Sequence, residues 1–223
     1  MDTSTFDLYL VNGNITIFCG IHTDKFKNDI LNSSLYAELL ATQRRGDREA
    51  LWLTYTELVS QFKWVINSRE TQRTVFDNSS LLKRLTQSAG SALPHNEQQI
   101  VTTAFSRIKK LERDSLIINT FIEKLNTNGA AATGRTHALL NIVRKDKTVL
   151  TLQLSFETAR VIDIDILDKP VLKSINDGKT NIRLLRSSLN ELQYNEVRET
   201  VINKLGNKII TDLLHIPTPS QLN

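Results

Sequence analysis

The chain has 223 residues, 40% of them hydrophobic and 23% charged, an ordinary globular composition that excludes a disordered, collagenous or disulfide-scaffold protein. Lys and Arg number 28 against 24 Asp and Glu, a net charge of +4 that is too small to argue for a nucleic-acid coat or a polybasic membrane anchor. A single cysteine, Cys19, excludes an intrachain disulfide and any CxxC motif and points to a reducing compartment.

Met1 to Asp7 contain neither a basic nor an apolar signal region, so the expected location is the cytoplasm, with export independent of a signal peptide left open. No apolar run approaches the ~20 residues that cross a bilayer. The first element is a hairpin: two β-prone runs, Phe6 to Val11 and Asn14 to Ile21, flank Asn12-Gly13, the pair that a type I′ turn favours because both central residues take positive φ. Phe26, Ile30, Leu31, Leu35, Leu39 and Leu40 then recur at helical spacing towards Arg44-Arg45-Gly46. Asn32-Ser33-Ser34 weakens this stretch and suggests two helices, since these side chains compete for backbone hydrogen bonds. A further helix carries Leu51, Tyr55, Leu58, Val59 and Phe62, with Asp47 as its cap; β-prone Lys63 to Asn67 and Arg73 to Phe76 follow as a second hairpin or as a helix end and an extended segment, and Asn78-Ser79-Ser80 opens a short helix through Leu81, Leu82 and Leu85.

Ser88 to Pro94 is the clearest internal loop signal. Residues from Asn96 to Asn126 hold helical apolar positions with no Gly or Pro, and Arg113-Asp114-Ser115 divides them into a helical pair or kinks one long helix. After the small residues Asn128 to Gly134 the pattern turns β. Thr136 to Val143, Thr148 to Phe156 and Ala159 to Leu167 read as an antiparallel meander, and Ile182 to Arg186 as a fourth strand. A helix over Asn195 to Gly206 and a short one ending near His215 close the fold. The sequence therefore predicts an α+β protein: an N-terminal β-hairpin, a helical middle and a C-terminal antiparallel β-meander covered by terminal helices. It is read as one domain over 1–223, with a division into 1–88 and 95–223 at the Ser88–Pro94 loop as the alternative.

Candidate chemistry is sparse. Gly129-Ala130-Ala131-Ala132-Thr133-Gly134-Arg135-Thr136 has the glycine spacing of a phosphate-binding loop. The order of elements is reversed, however, with a helix before and a strand after, and Arg135 stands where a Lys is needed. Asp163 and Asp165, one residue apart on the expected strand, share a face and are the candidate metal ligands, with Glu157 or Asp168 as a third carboxylate; a solvated strand face explains them as well. His22, His95, His137 and His215 are scattered without metal-ligand spacing. Cys19 alternates with Ile17 and Ile21 as a small core residue.

Trp52 and Tyr55, three apart on one helix face, are the candidate partner-binding pair, although burial is commoner for both types. Arg107, Lys110 and Arg135 are the candidate nucleic-acid contacts, but Glu112 and Asp114 interrupt the helical stripe. Residues 1–92 balance 10 basic against 10 acidic side chains, while 129–223 hold 13 against 10, so the charge excess sits mostly in the C-terminal part. No cofactor is implied. The function expected is that of a non-enzymatic protein-interaction or accessory protein of bacterial or phage type, acting on a protein partner or by self-association. A metal-dependent hydrolase or nuclease using Asp163 and Asp165, and a weak nucleic-acid-binding protein, are the alternatives.

Overall fold

The computed structural model describes residues 5–44, 48–75, 79–90, 92–127, 135–158, 162–174 and 180–217. Strands β1 (Phe6–Val11) and β2 (Asn14–Cys19) form the expected hairpin. Asn12 and Gly13 turn it with φ of 47° and 85°, the double positive φ that makes Asn-Gly the suitable pair.

Helix α1 (Asp24–Gln43) starts at Thr23, whose side chain accepts from the Phe26 N–H. It is one helix, not two. Ser33 and Ser34 lie buried in its middle and turn their hydroxyls back onto the carbonyls of Asp29, Ile30 and Leu31, which satisfies them without breaking the ladder. The expected end at Arg45-Gly46 and the Asp47 cap lie outside the described residues.

Helix α2 (Arg48–Gln61) leads through Lys63, at φ 67°, into β3 (Trp64–Gln72). Helix α3 (Leu81–Gly90) runs through Ser88 and Gly90, so the loop read at Ser88 to Pro94 is shorter than expected. Helices α4 (His95–Lys109) and α5 (Leu116–Thr127) are the predicted pair, separated where Ser115 Oγ accepts from the Ile118 N–H.

Strands β4 (Arg135–Val143) and β5 (Thr148–Thr158) pair antiparallel about a turn with Lys147 at φ 66°. The third meander strand is not formed in the described residues: Ile164–Leu167 is a 3₁₀ turn. In its place β6 (Leu172–Lys173) and β7 (Ile182–Leu189) pair with β5. The end of the chain folds as α6 (Glu191–Tyr194), α7 (Arg198–Leu205), α8 (Lys208–Asp212) and β8 (Leu213–Ile216). Residues read as the end of a last helix are thus a strand, which takes its form from antiparallel pairing with β1.

All eight strands join one mixed sheet in the order β3-β7-β5-β4-β2-β1-β8, with β6 beside β5. The hairpin meets the C-terminal strands through a parallel β2–β4 pairing, Ile15 opposite Leu140 and Phe18 opposite Val143. Two cores flank the sheet. One packs Leu10, Ile17, Leu140 and Leu152 against Leu85 of α3, Phe105 of α4 and Phe121 of α5. The other packs Phe18, Val143, Val149 and Leu185 against Phe26, Leu35, Tyr55 and Val201 of α1, α2 and α7. Burying both faces is what lets one sheet organise a chain of this length.

Candidate functional site

The residues singled out by sequence do not come together. Asp163 is exposed and caps the 3₁₀ turn, its Oδ1 accepting from the Asp165 N–H at 2.9 Å. Asp165 pairs through Oδ2 with Lys169 Nζ at 2.8 Å. Because this segment is a turn, the same-face spacing of strand carboxylates does not apply. Among the described residues no group of three His, Cys, Asp or Glu side chains is placed to hold a metal ion.

Trp52 and Tyr55 are 5% and 2% exposed with their rings 6.1 Å apart; they are core and present no face to a partner. Arg107 folds its guanidinium over the Phe6 ring at 4.1 Å, and burial lowers its pKa. Lys110 is exposed beyond the end of α4, and the Arg135 backbone pairs with Glu157. The glycine run at 129–134 lies outside the described residues, as does the Arg135 side chain.

What sequence reading missed is a buried polar seam on the α1–α2 side of the sheet. Asn14 and Thr16 of β2, Asn141 of β4, Thr151, Gln153 and Ser155 of β5, and Arg183 and Ser187 of β7 are all buried. Thr151 Oγ1 donates to Asn141 Oδ1 at 2.7 Å, and Arg183 Nη1 to Gln153 Oε1 at 3.2 Å. Asn14 accepts from the Leu139 N–H at 3.0 Å and donates from Nδ2 to Glu38 Oε1 at 2.6 Å, where Asn12 Nδ2 also donates at 3.0 Å. Glu38, 3% exposed, is pushed up to about 8 by burial, against the opposing pull of Asn12, Asn14 and Lys124, so it is mostly protonated at neutral pH.

Thr16 Oγ1, Gln153 Nε2, Ser155 Oγ and Ser187 Oγ make no hydrogen bond among the described residues. His137 stands opposite Ser155 in the β4–β5 register, and burial holds its imidazole down to about 4, neutral at physiological pH. Ser155 is fully enclosed, so this Ser–His neighbour pair meets no substrate.

The accessible feature lies at the sheet's other end. Strand β3 is an edge strand, and among the described residues nothing pairs with its outer side. Over its 9 residues Arg69, Glu70, Thr71 and Gln72 are exposed, so both faces of its second half are open. A cleft of about 450 Å³ runs between α2 and β3, lined by Leu53, Thr56, Glu57, Ser60, Gln61 and Arg69. Leu53 is 56% exposed in it. The register shift between Ile66 and Ser68 and the charges at Arg69 and Glu70 are devices that keep an open edge from pairing indiscriminately. No helix among the described residues is long and apolar enough to cross a membrane.

The architecture is thus that of an α+β protein built on one mixed sheet covered on both faces. No family model and no curated protein matches the sequence. Among solved structures, that of the Evf virulence factor is similar at a TM-score of 0.36 with 12% identity, over 90% of this chain and 81% of that one, a likeness that carries no argument about function.

Proposed function

We propose that this protein is a protein-interaction module that receives an extended segment of a partner along the open edge of β3. The observation that carries the reading is the exposed second half of β3 lying beside the α2–β3 cleft. Strand addition uses main-chain hydrogen bonds for affinity and side-chain pockets next to the edge for selectivity. Here Leu53 offers an apolar contact, with Glu57 and Arg69 as opposite charges along the same cleft. The buried thiol of Cys19 suits the reducing cytoplasm expected from the sequence.

The experiment compares capture from a lysate by the full chain, by Leu53→Glu in the cleft, and by Leu192→Glu, a control on α6 at a residue 84% exposed. Each protein is first checked for an unchanged melting temperature. The reading expects Leu53→Glu to lose the captured protein and Leu192→Glu to keep it. Retention by Leu53→Glu, or no captured protein with the wild type at micromolar concentration, would refute it.

A further inference from the structure

We infer that the segment received by the β3 edge runs antiparallel to β3 and carries an apolar, a basic and an acidic residue in that order, and that a second copy of this chain is not the occupant. The inference rests on strand addition at β3, proposed above, and names the chemistry of the partner.

The register with β7 fixes which way the exposed side chains of β3 point, because residues opposite each other in an antiparallel pair share a face. Arg69 stands opposite Leu185 and Thr71 opposite Arg183, while Glu70 stands opposite Leu184 and Ser68 opposite Arg186. Leu185 belongs to the core under α1 and α2, Leu184 to the core under α3, α4 and α5. Arg69 and Thr71 therefore lie on the α2 side, Ser68 and Glu70 on the other. Two contacts agree with this: Arg69 lines the cleft with Leu53, and Glu70 Oε1 lies 3.7 Å from Arg186 Nε.

The edge charges are poorly answered within the protein. The Arg69 guanidinium makes no hydrogen bond or ion pair with any other described residue. Glu57, the acid on the α2 wall, accepts from Gln61 instead. The Glu70 side chain is 60% exposed and its contact with Arg186 is long. An antiparallel strand laid on this edge sets successive residues opposite Thr71, Glu70 and Arg69. Opposite charges directly across a ladder attract, so the second of the three is basic and the third acidic. The first returns to the α2 side. Helix α2 runs into β3 through Phe62 and Lys63 and folds back along it, so Leu53, about two turns before Gln61, lies towards the strand's far end. An apolar side chain opposite Thr71 meets it there.

The same charges exclude self-pairing. A two-fold pair of β3 edges keeps the helices on their own side of the continued sheet, so one residue must stand opposite its own copy. Centred on Arg69 the pair opposes Arg69 to Arg69, centred on Glu70 it opposes Glu70 to Glu70, and centred on Thr71 it opposes Arg69 to Arg73. Like charges directly opposite are destabilising in each case.

The test uses the isotope-labelled full chain and two capped heptapeptides of one composition, Thr-Leu-Lys-Asp-Thr-Val-Thr and Thr-Leu-Asp-Lys-Thr-Val-Thr, titrated to millimolar concentration with the NMR shifts of β3 amides as readout. The first peptide is expected to shift the amides of Ser68 to Gln72 and to bind at least about fivefold more tightly than the second. Exchanging the charges of the protein, Arg69→Glu with Glu70→Arg at two exposed positions, should reverse the order. Equal binding, or tighter binding of the second peptide, whose charges fit a parallel strand, refutes the inference and leaves strand addition standing. If neither peptide shifts β3 amides, strand addition fails and the inference with it. Shifts of β3 amides that grow with protein concentration alone make a second copy the occupant and equally refute it. The wild-type comparison decides the matter even if the double variant fails to fold.

Discussion

Arg198 on α7 clamps Asp29 on α1 across 169 residues of chain, through Nε–Oδ1 at 2.7 Å and Nη2–Oδ2 at 2.8 Å. Asp29 is 2% exposed and the Arg198 side chain 15%. Removing the cation leaves a buried carboxylate without its partner, which costs ~3–5 kcal/mol. The guanidinium retains some contact with water, so Arg198→Ala is placed at the lower end, ~3 kcal/mol, a fall in melting temperature of roughly 6–12 °C for a chain of this size. Differential scanning fluorimetry gives the shift, and a double-mutant cycle with Asp29→Asn gives the coupling, expected to exceed ~1.5 kcal/mol. A fall under ~2 °C, or strictly additive single variants, would show that the clamp does not hold α7 to α1, and the reasoning would fail.

Two further outcomes follow from single sites. Burial pushes the Cys19 thiol up to about 12 from an ordinary 9.0, so native alkylation by iodoacetamide at pH 8 should run roughly a thousandfold slower than in urea; labelling at the free-thiol rate would contradict this placement. At Gly13, φ is +85° and an added Cβ would collide with the Lys124 side chain, whereas at Gly90 it would meet nothing within 4 Å. Gly13→Ala should lower stability by at least ~2 kcal/mol and Gly90→Ala should raise it by ~0.5 kcal/mol in urea titrations; equal effects at the two positions would contradict the local geometry.

Local chemistry was readable where neighbours in sequence decide the outcome. Asn12-Gly13 names its own turn, and the split between α4 and α5 follows from a hydroxyl at Ser115. The Asp163 to Leu167 stretch misled because Ile162, Ile164 and Ile166 alternate like a strand, while the turn is fixed by Asp163 capping and the Asp165–Lys169 pair. Leu213–Ile216 is a strand because β1 lies beside it, a distant cause that no window of sequence contains. The parallel β2–β4 pairing is distant in the same sense. The polar seam left a visible trace, since Thr151, Gln153 and Ser155 alternate with Leu150, Leu152 and Leu154. That period marks a polar face, and polar faces of antiparallel sheets are usually wet. Here the same face is covered, and alternation alone does not distinguish the two cases. The cleft and open edge depend on sheet order, which β7 sets by inserting between β3 and β5.

That insertion bears on how the chain is made. Strand β7 begins 110 residues after β3 ends, so at typical translation rates of ~5–20 residues per second a nascent β3 waits roughly 5–20 s for its hydrogen-bonding neighbour. The hairpin likewise has no β4 to join until the second half of the chain leaves the ribosome. A sheet that closes this late exposes β-prone segments during synthesis, when they are most open to capture by chaperones or by neighbouring chains. The polar and charged residues that dominate the second half of β3, Ser68 to Gln72, are therefore protective while the protein is being born as well as after it has folded.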